Sequence, residues 1–314
     1  MKKGTDGVRY LTVDERGAGQ RIDNFLLREL KGAPRALVYR LLRRGEVRVN
    51  KGRAKAGHRL VLGDVVRIPP VRLEQRSGVG RPPARQVRAI EEAVCHEDRH
   101  LLVLDKPAGV AVHGGSGLSF GVIELLRAAR PGEKGLELAH RLDRDTSGLL
   151  LVARRRAALR TLHRLQREGR VEKRYLALLH GRWRRDHVVV RAPLRKNLLR
   201  GGERVVVVAS DGKPAHTEFR VVRRFREATL VEARLHTGRT HQIRVHAAHV
   251  GTPILGDAKY GDAAANRRFR TLGLRRLFLH AAGLRFPWPD READYRFHAP
   301  LPEALSELLE RLDD

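Results

Sequence analysis

Apolar residues near the start of the chain recur at helical spacing. In residues 20–30 and again in residues 34–45, leucine, isoleucine, valine and phenylalanine return every three or four positions. This spacing predicts two short amphipathic helices. The second helix is expected to end at Gly45, because glycine readily adopts the left-handed conformation that closes a helix.

The positions that follow change from helical spacing to alternation. Residues 46–50 alternate like a strand, and residues 58–69 predict a hairpin that turns at Gly63 and Asp64. Residues 71–87 are polar, contain two adjacent prolines and lack periodicity, as a linker does. These patterns divide the chain into a small α/β module (18–70), a linker (71–87) and a larger domain (88–314).

The larger domain mixes strands and helices. Strands are predicted within residues 100–115 (two short ones), 171–181, 202–210, 215–225 and 228–236, and helices within 120–130, 157–168, 240–250 and 302–312. Several strands follow one another without an intervening helix, which argues for antiparallel pairing. The predicted fold class is therefore α+β, with a largely antiparallel mixed sheet flanked by helices, rather than a doubly wound sheet.

The charge of the chain points to a polyanionic partner. Of its 314 residues 41% are apolar, and 64 Lys and Arg against 36 Asp and Glu give a net charge of +28. Nucleic acid is the first candidate partner and an acidic membrane the second, whereas a genomic preference for arginine and a role in solubility are simpler explanations. Four arginines of the second helix lie off its leucine stripe and form a basic face suited to phosphates: Arg35, Arg40, Arg43 and Arg44.

Several familiar kinds of site are not supported. The single cysteine, Cys95, excludes a disulfide framework and a cysteine-rich zinc site and fits a reducing cytosol. The N-terminal residues lack the apolar core of a secretory signal, and no apolar run approaches the ~20 residues that span a bilayer. The histidines at 236, 241, 246 and 249 lack zinc-ligand spacing. We therefore expect a cytoplasmic protein without a metal or a cofactor.

The stretch from His140 to Arg154 places charges directly before an apolar run. Asp143 lies between Arg141 and Arg144, and cations on both sides favour its ionised form. The apolar run predicts a buried strand that can hold the charged loop in place, as scaffolds hold catalytic groups. A structural knot of ion pairs explains the same residues, and the pattern alone favours that simpler explanation.

Two resemblances to known families bear on this choice. The small module resembles the ribosomal-protein-S-four-like RNA-binding domain, although a generic α/β module with a solvated basic helix is the simpler alternative. Its matching patterns lie at residues 21–26, 45–50 and 60–65. The stretch HRLDRDTSG at residues 140–148 resembles the central motif of the RluA-type pseudouridine synthases. Other motifs of that family are matched at residues 105–113, 172–178, 237–246 and 251–261.

The second resemblance implies an isomerase that converts uridine in RNA to pseudouridine without a metal, a cofactor or external energy. It assigns Asp143 as the acting carboxylate and Arg244 as its basic partner. Attack on ribose C1′, addition to C6 of the base and removal of the C2′ proton all remain open for Asp143. Tyr175 matches the family's tyrosine, which can stack on uracil and help to remove the C5 proton.

The resemblance also implies how the target uridine enters the site. Arg141 is expected to fill the gap that the flipped uridine leaves, since a planar guanidinium stacks well on bases. Ile243 and Val245 flank Arg244 and are expected to line the base pocket, although both can equally belong to the core.

The nature of the RNA target follows from further stretches. Residues 113–127, 192–208 and 276–284 look most like the RluC type, which modifies more than one uridine in 23S ribosomal RNA. The expected partner is therefore 23S RNA or its large-subunit precursor, bound by a monomer. Two alternatives remain: a synthase of the RluD or RluA type with other target uridines, and a non-catalytic RNA-binding factor in ribosome assembly.

Overall fold

Two compact units make up the chain. The computed structural model describes residues 7–15, 17–30, 32–71, 81–114, 120–198 and 204–312, apart from a few side chains. The units comprise residues 1–80 and 81–314. Each has an apolar core of its own.

The first unit packs two helices on a small sheet. Its helices are α1 (Ile22–Glu29) and α2 (Arg35–Arg44), and its strands are β1 (Arg9–Thr12), β2 (Arg48–Val49), β3 (Gly52–Arg53) and β4 (Val65–Ile68). The strands lie in the order β1-β4-β2-β3, and their pairings are antiparallel. The predicted apolar stripes of both helices, including Phe25, Leu26, Val38 and Leu41, are buried. As predicted, α2 ends at Gly45, which is left-handed with a φ of 70°.

The second unit contains one large sheet with helices around it. Its helices are α3 (Ala84–Glu92), α4 (Val122–Ala129), α5 (Arg156–Arg167), α6 (Gln242–His249), α7 (Ala263–Thr271) and α8 (Glu303–Arg311). Its strands are β5 (Val94–Glu97), β6 (Leu101–Lys106), β7 (Glu137–Leu138), β8 (Ser147–Ala153), β9 (Glu172–His180), β10 (His187–Val190), β11 (Leu194–Leu198), β12 (Arg204–Val208), β13 (Thr217–Arg224), β14 (Ala228–Leu235), β15 (Leu279–Phe286) and β16 (Tyr295–His298).

The large sheet is mixed and mostly antiparallel. Its order is β10-β13-β14-β9-β15-β8-β6-β5, with β16 added beside β15 and β7 beside β8, while β11 and β12 form a separate pair. Among the described strands, only the neighbours β8 and β15 run parallel. The α+β class and the largely antiparallel mixed sheet predicted from the sequence are confirmed.

The hairpin predicted for residues 58–69 is wrong. Residues 61–64 do form a turn, in which the Asp64 carboxylate accepts from the Val61 amide at 2.8 Å. However, β4 pairs with β1 and β2 instead of with the residues before the turn. The position beside β4 is taken by β1, a short strand at residues 9–12 that the hydrophobic pattern did not reveal.

Of the two strands predicted within residues 100–115, the structure has one, β6, in the part of this range that it describes, residues 100–114. After β6, the carbonyl oxygens of the next segment serve other partners. The Lys106 ammonium donates to the Val110 carbonyl at 2.9 Å, and the first amides of α4 donate to Ala111 (2.9 Å) and Val112 (3.2 Å). The segment therefore accepts hydrogen bonds from the first amides of α4 and does not pair with a strand of the sheet.

The predicted linker overlaps a helix. Residues 72–80 of the linker lie outside the described residues, but α3 begins at Ala84, before the predicted end at residue 87. Pro83, with a φ of −56°, stands at the N-cap of α3, where the fixed proline backbone favours a helix start. The proline pair that suggested a linker thus marks the beginning of a helix.

Candidate active site

A tight loop presents Asp143 at the start of β8. The Thr146 amide donates to the Asp143 carbonyl oxygen (3.2 Å), and β8 follows as a completely buried strand. Gly148 lets β8 run beside β15. Its φ is +104°, and a Cβ atom there would lie 2.4 Å from the Ala281 carbonyl oxygen. The glycine of the motif is therefore required by the close approach of two parallel strands.

Ser147 anchors the same end of β8 through a directed chain of hydrogen bonds. Arg276 donates to the Ser147 hydroxyl at 2.7 Å, and that oxygen is 2.9 Å from His280 Nδ1. His280 Nε2 lies 3.2 Å from the Ala299 carbonyl oxygen, which can only accept, so Nδ1 must accept from Ser147. Burial lowers the pKa of His280, which keeps the ring neutral as this arrangement requires.

A buried lysine braces the loop from the other side. Lys106 is completely buried, and its Nζ donates to the carbonyl oxygens of Pro107 (2.7 Å), Val110 (2.9 Å) and Arg144 (3.1 Å). The Gly109 amide also donates to the Arg144 carbonyl, at 2.8 Å. Burial lowers the pKa of Lys106 to about 7, while the three acceptors match the three N–H groups of its ammonium form. The segment after β6 is thereby fastened to the loop that carries Asp143.

Two side chains from the start of α6 approach Asp143. Arg244 Nη1 is 3.4 Å from Asp143 Oδ2, and His241 Nε2 is 3.8 Å from the same oxygen. Asp143 and Arg244 lie 101 positions apart in the sequence. Their proximity, which the resemblance implied, is produced by the fold.

The arginines that flank Asp143 in the sequence do not supply its contacts. Arg144 pairs with Asp145 at 3.1 Å, and both side chains are about half exposed. Arg141 is exposed and lines the same open cleft as Asp143. The cations that lie close to the Asp143 carboxylate therefore come from α6 and not from its neighbours in the sequence. Successive side chains of a tight turn point in different directions.

Arg244 is held rigidly by a second carboxylate. Its Nε and Nη2 atoms each donate to Asp257 at 2.7 Å, and the exposed fractions of Arg244 and Asp257 are 8% and 1%. Burial disfavours the charged guanidinium, but the hydrogen bonds and charge of Asp257 outweigh it and raise the pKa of Arg244. Burial likewise opposes the Asp257 carboxylate, yet Arg244 keeps its pKa below the usual value. The bidentate pair leaves Nη1 of Arg244 directed at Asp143.

His241 is fixed by a tyrosine from the segment before α7. As the N-cap of α6 it has a left-handed backbone (φ 55°), and its Nδ1 is 2.7 Å from the Tyr260 hydroxyl. That hydroxyl accepts from the Val206 amide at 2.9 Å, so its own proton is available to His241 Nδ1. Burial, opposed by the charge of Asp143, lowers the pKa of His241. A neutral His241 then presents an Nε2–H group towards Asp143.

Tyr175 enters the site from β9. It is 7% exposed, lies opposite Ala233 of β14, and lines the same cleft as Asp143. Burial and the nearby charge of Asp143 raise the pKa of Tyr175 above its usual value. The hydroxyl therefore keeps its proton at neutral pH.

The two apolar residues beside Arg244 lie in different places. Ile243 lines the cleft and is 4% exposed. Val245 is absent from the described cleft wall and packs instead in an apolar cluster with Leu194, Val206 and Ala215. On a helix, residues two positions apart point to different sides, so only one of the pair faces the cleft.

His140 supports the loop from within. The Leu151 amide of β8 donates to His140 Nε2 at 3.0 Å, which requires this nitrogen to be unprotonated. Burial, aided by the charge of Lys173, lowers the pKa of His140 to about 3. Burial also lowers the pKa of Lys173 to about 8. Both side chains line the cleft.

These residues surround one open cleft of about 610 Å³. Its wall includes Asp143, Tyr175, Ile243 and Arg244. Five exposed arginines stand along it: Arg141, Arg170, Arg234, Arg239 and Arg285. An anionic group near an apolar wall, surrounded by cations, suits a nucleotide whose base enters while its phosphates remain outside.

The basic face predicted on α2 is present in the first unit. Arg40, Arg43 and Arg44 are exposed, and the leucine stripe is turned inward. Arg35 is the first residue of α2, and its side chain lies outside the described part of the structure.

Sequence reasoning missed the residues that hold the site together. Asp257 and Tyr260 lie in a matched motif, GTPILGDAKYG, but no role was assigned to them. Lys106 and His140 also belong to matched motifs. The available signal was a charged residue beside an apolar run, as at Lys106 after LLVLD, since such a charge needs buried partners.

Two further findings concern ligands and membranes. Within the described ranges, no three His, Cys, Asp or Glu side chains are grouped so that they could bind a metal ion. Among the helices that the structure describes, none combines the length and apolarity needed to cross a bilayer.

Known proteins share the sequence patterns of both units of this chain and the fold of most of it. The sequence pattern of the RNA pseudouridylate synthase family matches residues 100–249, and that of the S4 domain matches residues 20–66. The solved structure of human RNA pseudouridylate synthase domain containing 4 has a TM-score of 0.62 and 27% identity, over 73% of this chain and 96% of that one. Human RNA pseudouridylate synthase domain containing 1 has a TM-score of 0.57 and 28% identity, over 70% and 94%.

Curated relatives extend this likeness over nearly the whole length. The ribosomal large subunit pseudouridine synthase C of Yersinia pestis is 53% identical over 310 residues, which are 98% of this chain and 97% of the relative. The protein of the same name from Escherichia coli (strain K12) is 52% identical over 315 residues, 99% of each. The chain belongs to the RNA pseudouridylate synthase family, and it is an enzyme that isomerises uridine in RNA.

Proposed function

We propose that this enzyme converts specific uridines of large-subunit (23S) ribosomal RNA into pseudouridine, with Asp143 as the acting carboxylate. The observation that carries the proposal is the convergence of Asp143, Tyr175 and Arg244 in one cleft, from the loop before β8, from β9 and from α6. The choice of RNA rests on the relatives, whose names specify the ribosomal large subunit.

The reaction is a rearrangement in which atoms and charge are conserved. The bond between ribose C1′ and uracil N1 breaks, the base turns, and a bond forms between C1′ and C5. The C5 proton leaves, and N1 gains a proton. Asp143 acts as an anion in each of the three routes, and Arg244 and His241 lie where they can hold it beside the sugar.

Tyr175 contributes mainly through its ring. Because burial raises its pKa, the hydroxyl is not an anion at neutral pH and cannot remove the C5 proton unaided. Its ring and Ile243 provide the apolar surface of the cleft on which uracil packs. The hydroxyl can donate a hydrogen bond to the base as it turns.

The enzyme must extract the uridine from folded RNA. Flipping a nucleotide out of a stack costs a few kcal/mol. Arg141 is exposed at the cleft, where it can occupy the space that the base vacates. The exposed arginines of α2 contact phosphates elsewhere on the same RNA and add affinity without sequence information. The cytoplasmic location and the monomeric state expected from the sequence stay predictions.

The test is to map pseudouridine in defined RNA. Unmodified 23S and small-subunit RNA made by transcription are incubated with the purified protein, and every pseudouridine is located by chemical modification and primer extension. We expect pseudouridine at a few positions in 23S RNA and none in the small-subunit RNA.

The same map from a strain that lacks the gene identifies the natural sites. Those sites should lose pseudouridine and regain it when the gene is restored. Product in another RNA only would show a different target, as for a synthase of the RluD or RluA type. Binding to 23S RNA without product in any preparation would support the non-catalytic assembly factor and contradict the proposal.

A further inference from the structure

Two histidine rings are stacked at the edge of the cleft. His216 directly precedes β13 and His236 directly follows β14, and these strands pair with Thr217 opposite Leu235. The ring centroids are 4.1 Å apart and the ring planes differ by only 12°. His216 and His236 together form a histidine stack.

The histidine stack is fixed by the residues that lead into α6. The His216 amide donates to Thr237 Oγ1 (2.9 Å), and the Thr237 hydroxyl donates to Gln242 Oε1 (2.8 Å). Gln242 in turn donates to the His216 carbonyl oxygen at 3.0 Å. His236 Nε2 lies 3.3 Å from Glu218 Oε2, which sets the rotation of the outer ring. The stack is thus attached to the helix that carries Arg244.

One ring of the stack faces the cleft. His236 lines the cleft together with Asp143, and 36% of its side chain is exposed. Because His216 covers one face of His236, the exposed area lies on the opposite face and on the ring edge. Burial, together with the charges of His236 and Arg191, lowers the pKa of His216 and so favours a neutral inner ring.

The surroundings of His236 specify the chemistry of its ligand. Arg234 and Arg239 are close to His236 in the sequence and line the same cleft. Both arginines are exposed. The Arg239 Nε donates to the Pro214 carbonyl at 3.0 Å, which holds this side chain near the stack. A flat ring with one free face beside cations binds a nucleobase by stacking and its phosphate by charge.

We propose that His236, supported by His216, is a stacking site for a nucleobase that neighbours the target uridine in the RNA strand. This inference rests on the proposed function, since it assumes an RNA strand at the cleft. It adds a contact outside the pocket that receives uracil. A nucleotide on one side of the target is therefore held by its base, and its identity affects the choice of uridine.

The test uses synthetic RNA fragments of the mapped 23S sites in which 2-aminopurine replaces one neighbour of the target at a time. Fluorescence is followed while wild-type protein, His236→Phe, His236→Leu or His236→Ala is added. Stacking on an aromatic ring quenches 2-aminopurine. We expect quenching at one neighbouring position with the wild type and His236→Phe, and none there with His236→Leu or His236→Ala.

Affinity gives a second readout. Aromatic stacking platforms contribute about 5- to 100-fold to binding, and we expect the leucine and alanine variants to bind roughly 5- to 10-fold more weakly because imidazole is small. The matched control is His163→Ala, an exposed histidine of α5, which should bind and quench like the wild type. Rescue by phenylalanine separates stacking from the pairing of His236 with Glu218.

Two results would overturn the inference. One is the absence of quenching at every neighbouring position. The other is a His236→Phe variant that binds as weakly as His236→Ala, which would assign the role to the Glu218 contact. Quenching reports stacking and does not depend on turnover, so it can fail while pseudouridine still forms, and it can succeed on an RNA that yields no product. Failure of the stacking site and failure of the proposed function are therefore distinguishable.

Discussion

The cations of the cleft and those of α2 are used in opposite ways. Arg244 is 8% exposed and is held by two 2.7 Å hydrogen bonds to Asp257. Arg40 and Arg43 are exposed, and Arg44 is exposed with only a 3.8 Å approach to Glu46. A desolvated charge needs a fixed partner, whereas a hydrated one contributes little to folding and remains free to meet a phosphate.

This contrast separates chemistry from affinity. The buried pair fixes the direction of one N–H group towards Asp143, so a small displacement affects the reaction. The exposed arginines act through screened charge, so their effect depends on salt and spreads over the RNA. Changes in the two regions should therefore alter different kinetic constants.

The largest effect is expected when the buried pair is broken. Asp257→Asn removes the charge that compensates Arg244, and breaking a buried pair typically costs about 3–5 kcal/mol of stability. Because Arg244 also loses its fixed direction, kcat should fall by about 100-fold. Urea unfolding and single-turnover kinetics measure the two effects.

The matched control for that variant is Asp211→Asn. Asp211 pairs with Arg195 at 2.6 Å, but both side chains are about half exposed or more. We expect a change of less than about 1 kcal/mol and an unaltered kcat. Equal losses from both variants would contradict the distinction between buried and exposed pairs.

A smaller effect is expected from the pH dependence of His140. Its pKa is about 3 in the folded chain, against about 6.5 when unfolded. Between these values only the unfolded chain binds the proton, so stability falls as the pH drops below about 6.5, by at most about 1.4 kcal/mol per pH unit.

Replacing His140 should make that dependence shallower. In His140→Gln the side-chain oxygen can still accept from the Leu151 amide but does not titrate. Urea unfolding between pH 4 and pH 7 compares the variant with wild type and with His163→Gln, whose exposed ring should leave the slope unchanged. A His140→Gln slope as steep as that of wild type would exclude His140 as a source of acid sensitivity.

The smallest effect on chemistry is expected from the α2 arginines. Changing Arg40, Arg43 and Arg44 together to Gln should raise KM and leave kcat within about twofold, since the cleft is untouched. The dependence of log affinity on log salt should flatten by about 0.7–0.9 for each phosphate that the variant no longer neutralises. The control changes three exposed arginines at and after α7, Arg267, Arg270 and Arg275, to Gln. An equal flattening in both triple variants would show a general charge effect without a special role for α2.

Local patterns predicted local features well. The leucine stripe and the stop at Gly45 defined α2, and the apolar run after Asp143 defined β8. Spacing could not show which strand pairs with which, so β1 was missed and the hairpin before β4 was wrong. Pairing depends on residues far apart in the sequence, about which a short window carries no information.

The site shows the same limit. The motifs pointed to Asp143 and Arg244, but the flanking charges of Arg141 and Arg144 drew attention away from α6, whose side chains approach Asp143. Asp257, which fixes Arg244, could not be inferred from any local pattern. The partner of a buried charge depends on how separate segments pack against each other. A local sequence pattern carries no information on this packing.

The central claim is that the Asp143 carboxylate performs the chemistry. The most direct test is tritium release from 23S RNA labelled at uridine C5, under single-turnover conditions with saturating Asp143→Asn protein. Asp145→Asn serves as the control, because the Asp145 side chain is about half exposed and pairs with the exposed Arg144. We predict that Asp143→Asn binds the RNA but releases tritium at least about 1,000-fold more slowly than wild type. Release at the wild-type rate would contradict the account.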